Sequence, residues 1–126
     1  MSEIIEVRRP KSPSATYIPV SLDLDPQKSV REAAAAILSN SQIQQIDLVF
    51  KNAAVTSIPE RQLSPEGIEM QFATNHIGHF LFTNLIMPKI LAAAKSNPKG
   101  TTRIINLSSR GTVYSPVRFQ TSTLTR

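Results

Sequence analysis

Cysteine and tryptophan are both missing from this chain, and glycine is scarce: there are four, and the first is Gly67. Without cysteine there is no disulfide framework, no thiolate zinc site and no cysteine nucleophile. Without glycine before position 67, no loop in that stretch can bring its backbone amides close around a phosphate. The two histidines, His76 and His79, fall short of the three protein ligands that a catalytic zinc usually takes. Charge is not concentrated either. The net value of +5 is spread over Arg8, Arg9, Lys11, Lys28, Arg31, Lys51, Arg61, Lys89 and Arg103, and no aromatic pattern is interleaved with these side chains. Specific nucleic-acid binders gather their basic residues on one face, so nucleic acid is not an expected partner.

No long hydrophobic run is present. The most apolar stretch, Phe80 to Ala94, is interrupted by Asn84, Pro88 and Lys89, falls short of a membrane span and reads as a buried helix. No N-terminal segment has the composition of a secretory signal, and a cytoplasmic location is expected. What remains is 126 residues, 40% of them apolar, enough for one domain with one core.

The order of elements can be read from apolar spacing. Ile4, Ile5 and Val7 form a short strand that leaves into Arg8-Arg9-Pro10. Ile18, Val20, Leu22 and Leu24 alternate as a second strand, closed by Asp25-Pro26. Asp25 can cap a helix whose first position suits Pro26, and Val30, Ala33, Ala34 and Ile37 then repeat at helical spacing to about Ser39. Ile46 to Phe50 predicts a strand buried on both faces. Ser64-Pro65-Glu66 has the form of a second helix start, and the region up to Lys95 predicts a short helix, a bend at Gly78 and a long helix kinked near Pro88. Arg103 to Leu107 is the last strand. Strands alternating with helices predict a parallel sheet, in which ligands bind beyond the carboxyl ends of the strands. Asp23, Asn52 and Ser109 all fall at or just past such ends.

The stretches Leu22-Asp23-Leu24, Asn52-Ala53-Ala54, Phe72-Ala73-Thr74-Asn75-His76-Ile77-Gly78-His79-Phe80 and Arg103-Ile104-Ile105-Asn106-Leu107-Ser108-Ser109 together resemble the middle of a short-chain dehydrogenase/reductase. The branch resembled is that of the retinol-dehydrogenase-like and WW-domain-oxidoreductase-like members. The fold this implies is α/β, a partial Rossmann-like doubly wound parallel sheet lacking the first strand and the glycine-rich loop. Residues 1–118 would form the nucleotide-binding domain and residues 119–126 a disordered tail.

The resemblance also implies roles. Asp23 would receive the adenine amino group of a nicotinamide cofactor, and Asn52 with Ala53 would form its ribose wall. Ala54 and Lys51 depart from the family's Asn-Asn-Ala-Gly. Arg8 or Arg9, just past the Ile4 to Val7 strand that corresponds to the family's second, would meet a 2′-phosphate, making NADP preferred over NAD. Asn75 would be the catalytic asparagine, its main-chain carbonyl holding a water. Ser109 would bind the substrate carbonyl oxygen where negative charge develops. The dull readings stand beside these: turn residues for Asp23, Asn52 and Ser109, and a buried amide tying two helices for Asn75.

The family's Tyr-x-x-x-Lys has no match. Tyr114 precedes Arg118 at the right spacing, but arginine cannot enter a proton relay and Tyr114 follows Ser109 too closely. The chain is therefore expected to be an incomplete oxidoreductase, inactive by itself and marginal in stability, acting in complete relatives on an alcohol or carbonyl substrate. The alternative is a non-catalytic interaction piece that forms a homo-oligomer through the Phe72 to Ala94 helix.

Overall fold

The computed structural model describes residues 16–113. The strand expected at Ile4 to Val7, the cation Arg8, the pair Tyr114 and Arg118 and the tail lie outside the described residues.

Helix α1 spans Gln27–Ser39, with Pro26 as the residue before its first turn. Strand β1 is Leu48–Lys51 and strand β2 is Arg103–Asn106. They pair in parallel, Leu48 opposite Arg103 and Lys51 opposite Asn106, and among the described residues they form a two-stranded sheet. Between them runs a long helical rod: α2 (Met70–Phe72), a π-helical turn (Ala73–Gly78) and α3 (His79–Ser96). This is the expected α/β alternation with a parallel pairing, a partial doubly wound sheet.

The core lies between α1 and α3. Ala34 packs with Ile86 and Ile90, and Val30, Ala33 and Ala93 are buried on the same two helices. Ile46 and Val49 join the cluster of Ala34, Ile86 and Ile90, so the helices cover one face of the sheet. The other face is open. Leu48 and Phe50 are 49% and 64% exposed, which corrects the expectation of a strand buried on both faces. Among the described residues no layer packs on that side.

Two further expectations are corrected, and the helical rod is placed. Ile18 to Leu24 makes no strand ladder among the described residues; a strand needs a neighbour for its amides and carbonyls, and none is paired with it here. Ser64-Pro65-Glu66 does not start a helix. It closes a turn in which the Gly67 amide donates to the Ser64 carbonyl at 2.9 Å, with Gly67 in the left-handed region at φ 77°. The rod starts at Met70, capped by Glu69, whose two carboxylate oxygens accept from the Gln71 and Phe72 amides at 3.0 and 2.8 Å. Finally, the departure from α geometry falls in the Ala73–Gly78 turn, while α3 runs through Pro88 to Ser96.

Counted as one helix, Met70–Ser96 has 27 residues and is, by length and composition, apolar enough to cross a bilayer. It exceeds the Phe80 to Ala94 stretch judged too short because it extends at both ends. Its buried side chains Thr83, Ile86, Ile90 and Ala93 serve the domain core, and core helices of folded domains pass the same test.

Candidate functional site

Parallel pairing brings the carboxyl ends of β1 and β2 side by side, and the Leu107 amide extends the ladder by donating to the Lys51 carbonyl at 3.1 Å. Beyond β1 lie Asn52, Ala53 and Ala54, all exposed. Beyond β2 lie Ser108 and Ser109, also exposed; the Ser109 hydroxyl accepts from the Gly111 amide at 3.0 Å as a short 3₁₀ turn begins at Arg110. Residues from two separate strands therefore share one end of the sheet.

The helical rod supplies the third component. The Asn75 side chain grips Val55 twice: its Oδ1 accepts from the Val55 amide at 2.8 Å and its Nδ2 donates to the Val55 carbonyl at 2.8 Å. Four residues later, His79 Nε2 lies 2.8 Å from the Ala53 carbonyl and donates to it, since a carbonyl can only accept. The carbonyls of Asp47 and Lys51 serve β2, whereas those of Ala53 and Val55 serve the rod. The same alternate-residue edge of the chain thus passes from a strand to two helix side chains. Asn75 ties a helix to the segment after β1, rather than to a second helix. His76 stacks on Phe72 with ring centroids 5.1 Å apart.

Gly78 lets the rod come down onto Leu24. A Cβ built there would stand 2.2 Å from the Leu24 carbonyl oxygen, closer than any real contact. This approach sets Asp23, one residue away, beside the same rod that holds residues 53 to 55. Asp23 itself makes a local turn: its Oδ1 accepts from the Asp25 amide at 3.0 Å, and its own amide donates to Ser29 Oγ at 2.9 Å. Asp23 remains exposed.

The expected cap by Asp25 is also corrected. The Gln27 amide at the start of α1 donates instead to Glu66 Oε1 at 2.9 Å, a partner 39 residues away. Glu66 Oε2 in turn accepts from the Ser64 hydroxyl at 2.9 Å. The Gln27 amide first and the Ser64 hydroxyl second hold the Glu66 carboxyl below its ordinary range. Asp25 is displaced the other way, by burial first and then by the charges of Asp23 and Glu66, and its Oδ1 is buried without a hydrogen-bond partner.

The two groups have opposite consequences for stability. A lowered folded pKa gives Glu66 a contribution that is present above its unfolded value, about 4.3, and is lost as pH falls through the folded value. A raised one gives Asp25 a contribution present below its unfolded value, about 3.9, and lost as pH rises through the folded value. In urea titrations between pH 3 and 7, Asp25→Asn is expected to raise the midpoint at neutral pH. Glu66→Gln is expected to lower it there and to shrink the loss on acidification. Unchanged pH profiles in both variants would contradict this assignment.

The structure brings Asn52, Ala53, Asn75 and Ser109 to one end of the sheet, sets Asp23 against the rod through Leu24, and says nothing of Arg8, which is outside the described residues. Sequence reading missed His79, considered there as a metal ligand, and missed Glu66 and Glu69 as caps. Glu69 two and three residues before the amides it accepts carried a usable local signal; Glu66, distant in sequence from Gln27, carried none.

A parallel sheet with helices packed on one face and polar side chains gathered past its strand ends is a partial Rossmann-like α/β fold. The family model described as short chain dehydrogenase matches residues 4–121, and the chain belongs to this family. It is 43% identical over 98 residues to retinol dehydrogenase 13 of Homo sapiens, covering 78% of this chain and 27% of that protein. It is 44% identical over 103 residues to the chloroplastic short-chain dehydrogenase TIC 32 A of Brassica napus, covering 81% and 31%. A short-chain dehydrogenase/reductase of Armillaria gallica is 36% identical over 116 residues, covering 92% and 36%. The chain thus spans about a third of the length of the curated relatives it matches. The family is one of oxidoreductases that use nicotinamide cofactors.

Proposed function

We propose that this chain forms part of the cofactor and substrate site of an NAD(P)-dependent oxidoreductase that passes hydride between a nicotinamide cofactor and an alcohol or carbonyl compound. The observation that carries the reading is the double grip of Asn75 on Val55, which sets the π-helical turn against the carboxyl end of the sheet. π-turns inside α-helices occur frequently at functional sites, and this one falls on the residue to which family resemblance assigns a water-holding carbonyl.

The residues present fit the cofactor chemically. Asp23 is an exposed carboxylate able to accept from an adenine amino group, and Asn52 and Ala53 offer exposed backbone and amide groups at a strand end. Ser109 offers a hydroxyl beside the neighbouring strand, suited to a developing oxyanion. The bound nicotinamide would supply the hydride; this chain's residues bind and orient it and stabilise charge on the substrate. The acid–base step needs a proton carrier near neutral pH, and no Tyr-x-x-x-Lys stands in this sequence, so the chain by itself is expected not to turn over. NADP is the form proposed, on the resemblance of Arg8 by sequence position to the basic side chain that meets a 2′-phosphate in family members.

Fluorescence titration with NADPH tests the reading: saturable binding, weaker for NADH and weakened about tenfold or more by Asp23→Ala, is expected. Absence of saturable binding would overturn it. A second reading is favoured by one specific observation. Phe72, Phe80 and Leu91 are 53%, 61% and 52% exposed on the rod, a surface that a second copy could cover. Concentration-dependent association in sedimentation experiments without NADPH binding would select that alternative.

A further inference from the structure

We propose that His79 is a positioning residue for the turn after β1, fixing the Ala54 amide as a donor toward the nicotinamide cofactor; this deepens the reading above and rests on it. His79 donates Nε2–H to the Ala53 carbonyl at 2.8 Å. No cis peptide occurs among the described residues, so the carbonyl of Ala53 and the amide of Ala54 share one planar trans peptide and point in opposite directions. Pinning the carbonyl onto the rod therefore turns the Ala54 N–H away from it. Both backbone groups of the next residue, Val55, are held on the rod by Asn75. Of these consecutive groups, the Ala54 N–H is the one that the rod directs outward, at an exposed position beside Asn52.

Alanine at positions 53 and 54 offers no side chain to lock this peptide, and the segment belongs to no regular element. The orientation has to come from a neighbour. Asn75 and His79 are four residues apart on the rod, and each takes one part of the segment, so the two act on separate peptide planes. His79 is half-buried, while its bond to Ala53 lies at an exposed position, so the segment stays open to solvent.

The test uses the full chain, isotope-labelled, as wild type, His79→Leu, His79→Gln and His79→Asn. Glutamine places an amide N–H where imidazole Nε2 stands; asparagine is one bond too short. In His79→Leu and His79→Asn the carbonyl-carbon resonance of Ala53 and the amide resonance of Ala54 are both expected to shift. NADPH affinity is expected to fall about fivefold, and His79→Gln to restore it to within about twofold. In the wild type, NADPH is expected to move the Ala54 amide resonance.

Unchanged Ala53 and Ala54 signals in His79→Leu would overturn the positioning role whatever the cofactor does. Altered signals with unaltered NADPH affinity would reduce the bond to a fold contact and overturn the proposal while leaving the cofactor reading intact. Failure of glutamine to rescue would overturn it too, and should leucine prevent folding, the comparison of glutamine with asparagine decides the matter. Absence of NADPH binding by the wild type would instead sink the cofactor reading, and with it any role of His79 toward that ligand.

Discussion

Gly78→Ala is expected to cost this chain several kcal/mol and to remove its cooperative unfolding transition. The usual effect has the opposite sign, since alanine favours an exposed helix over glycine by about 1 kcal/mol. Here the new methyl would meet the Leu24 carbonyl oxygen at 2.2 Å and the Leu24 carbonyl carbon and Cβ at 3.0 Å. The obstacle is main chain, and Leu24 is itself buried, so no side-chain rotation relieves it. Overpacking of this kind costs roughly 1–3 kcal/mol where side chains can shift, and more where backbone must move. Against a total stability of about 5–15 kcal/mol for an ordinary domain, such a loss dominates. Urea titration followed by circular dichroism measures it. A raised midpoint would mean that the rod does not rest on Leu24, and the placement of Asp23 beside the site would fall with that contact.

The second large effect is expected at Asn75. Alanine would leave both backbone groups of Val55 without the partners seen at 2.8 Å, a loss of roughly 1–3 kcal/mol for two hydrogen bonds at exposed positions. Asn75→Asp is the sharper probe. It keeps an acceptor for the Val55 amide but sets a carboxylate oxygen against the Val55 carbonyl, where the native side chain donates. The aspartate variant is therefore expected to be at least as destabilised as alanine at neutral pH, despite its closer shape. Both variants should exchange the Val55 amide proton faster. Wild-type stability in Asn75→Asp would show that the amide does not bridge the rod to the segment after β1.

The features legible in the sequence were those governed by near neighbours. Helix α1 follows from Val30, Ala33 and Ala34 at helical spacing, and β1 and β2 from compact apolar runs. An interruption of the helix near Gly78 was legible as well, and it falls in the π-helical turn. What escaped was set by partners distant along the chain. Asp25 has the residue type and position of a cap, yet Glu66 reaches the Gln27 amide first because a turn at Ser64 presents it there. Ser64-Pro65-Glu66 has the composition of a helix start, but Gly67 adopts a left-handed conformation and closes a turn instead. The exposure of Phe50 was equally invisible, since an apolar run records which layers a strand suits and not which are in place. Asn52 and Ser109 do fall past the ends of β1 and β2, while Asp23 has no strand before it among the described residues, and the use of His79 depends on where a neighbouring loop happens to pass.

The π-helical turn at Ala73–Gly78 makes the number of residues in the rod a constraint separate from their identity. A π-helical turn closes on the fifth residue where an α-helix closes on the fourth, so it takes in one residue more than the stretch of α-helix it replaces. Excising one position here would return the turn to α geometry and leave Ile86 and Ile90 in their seat against α1; what would be lost is the wider spacing of carbonyls around Asn75. The extra residue is thus expected to be kept for the shape it gives this turn, and a deletion within α3 to be far more damaging to the core.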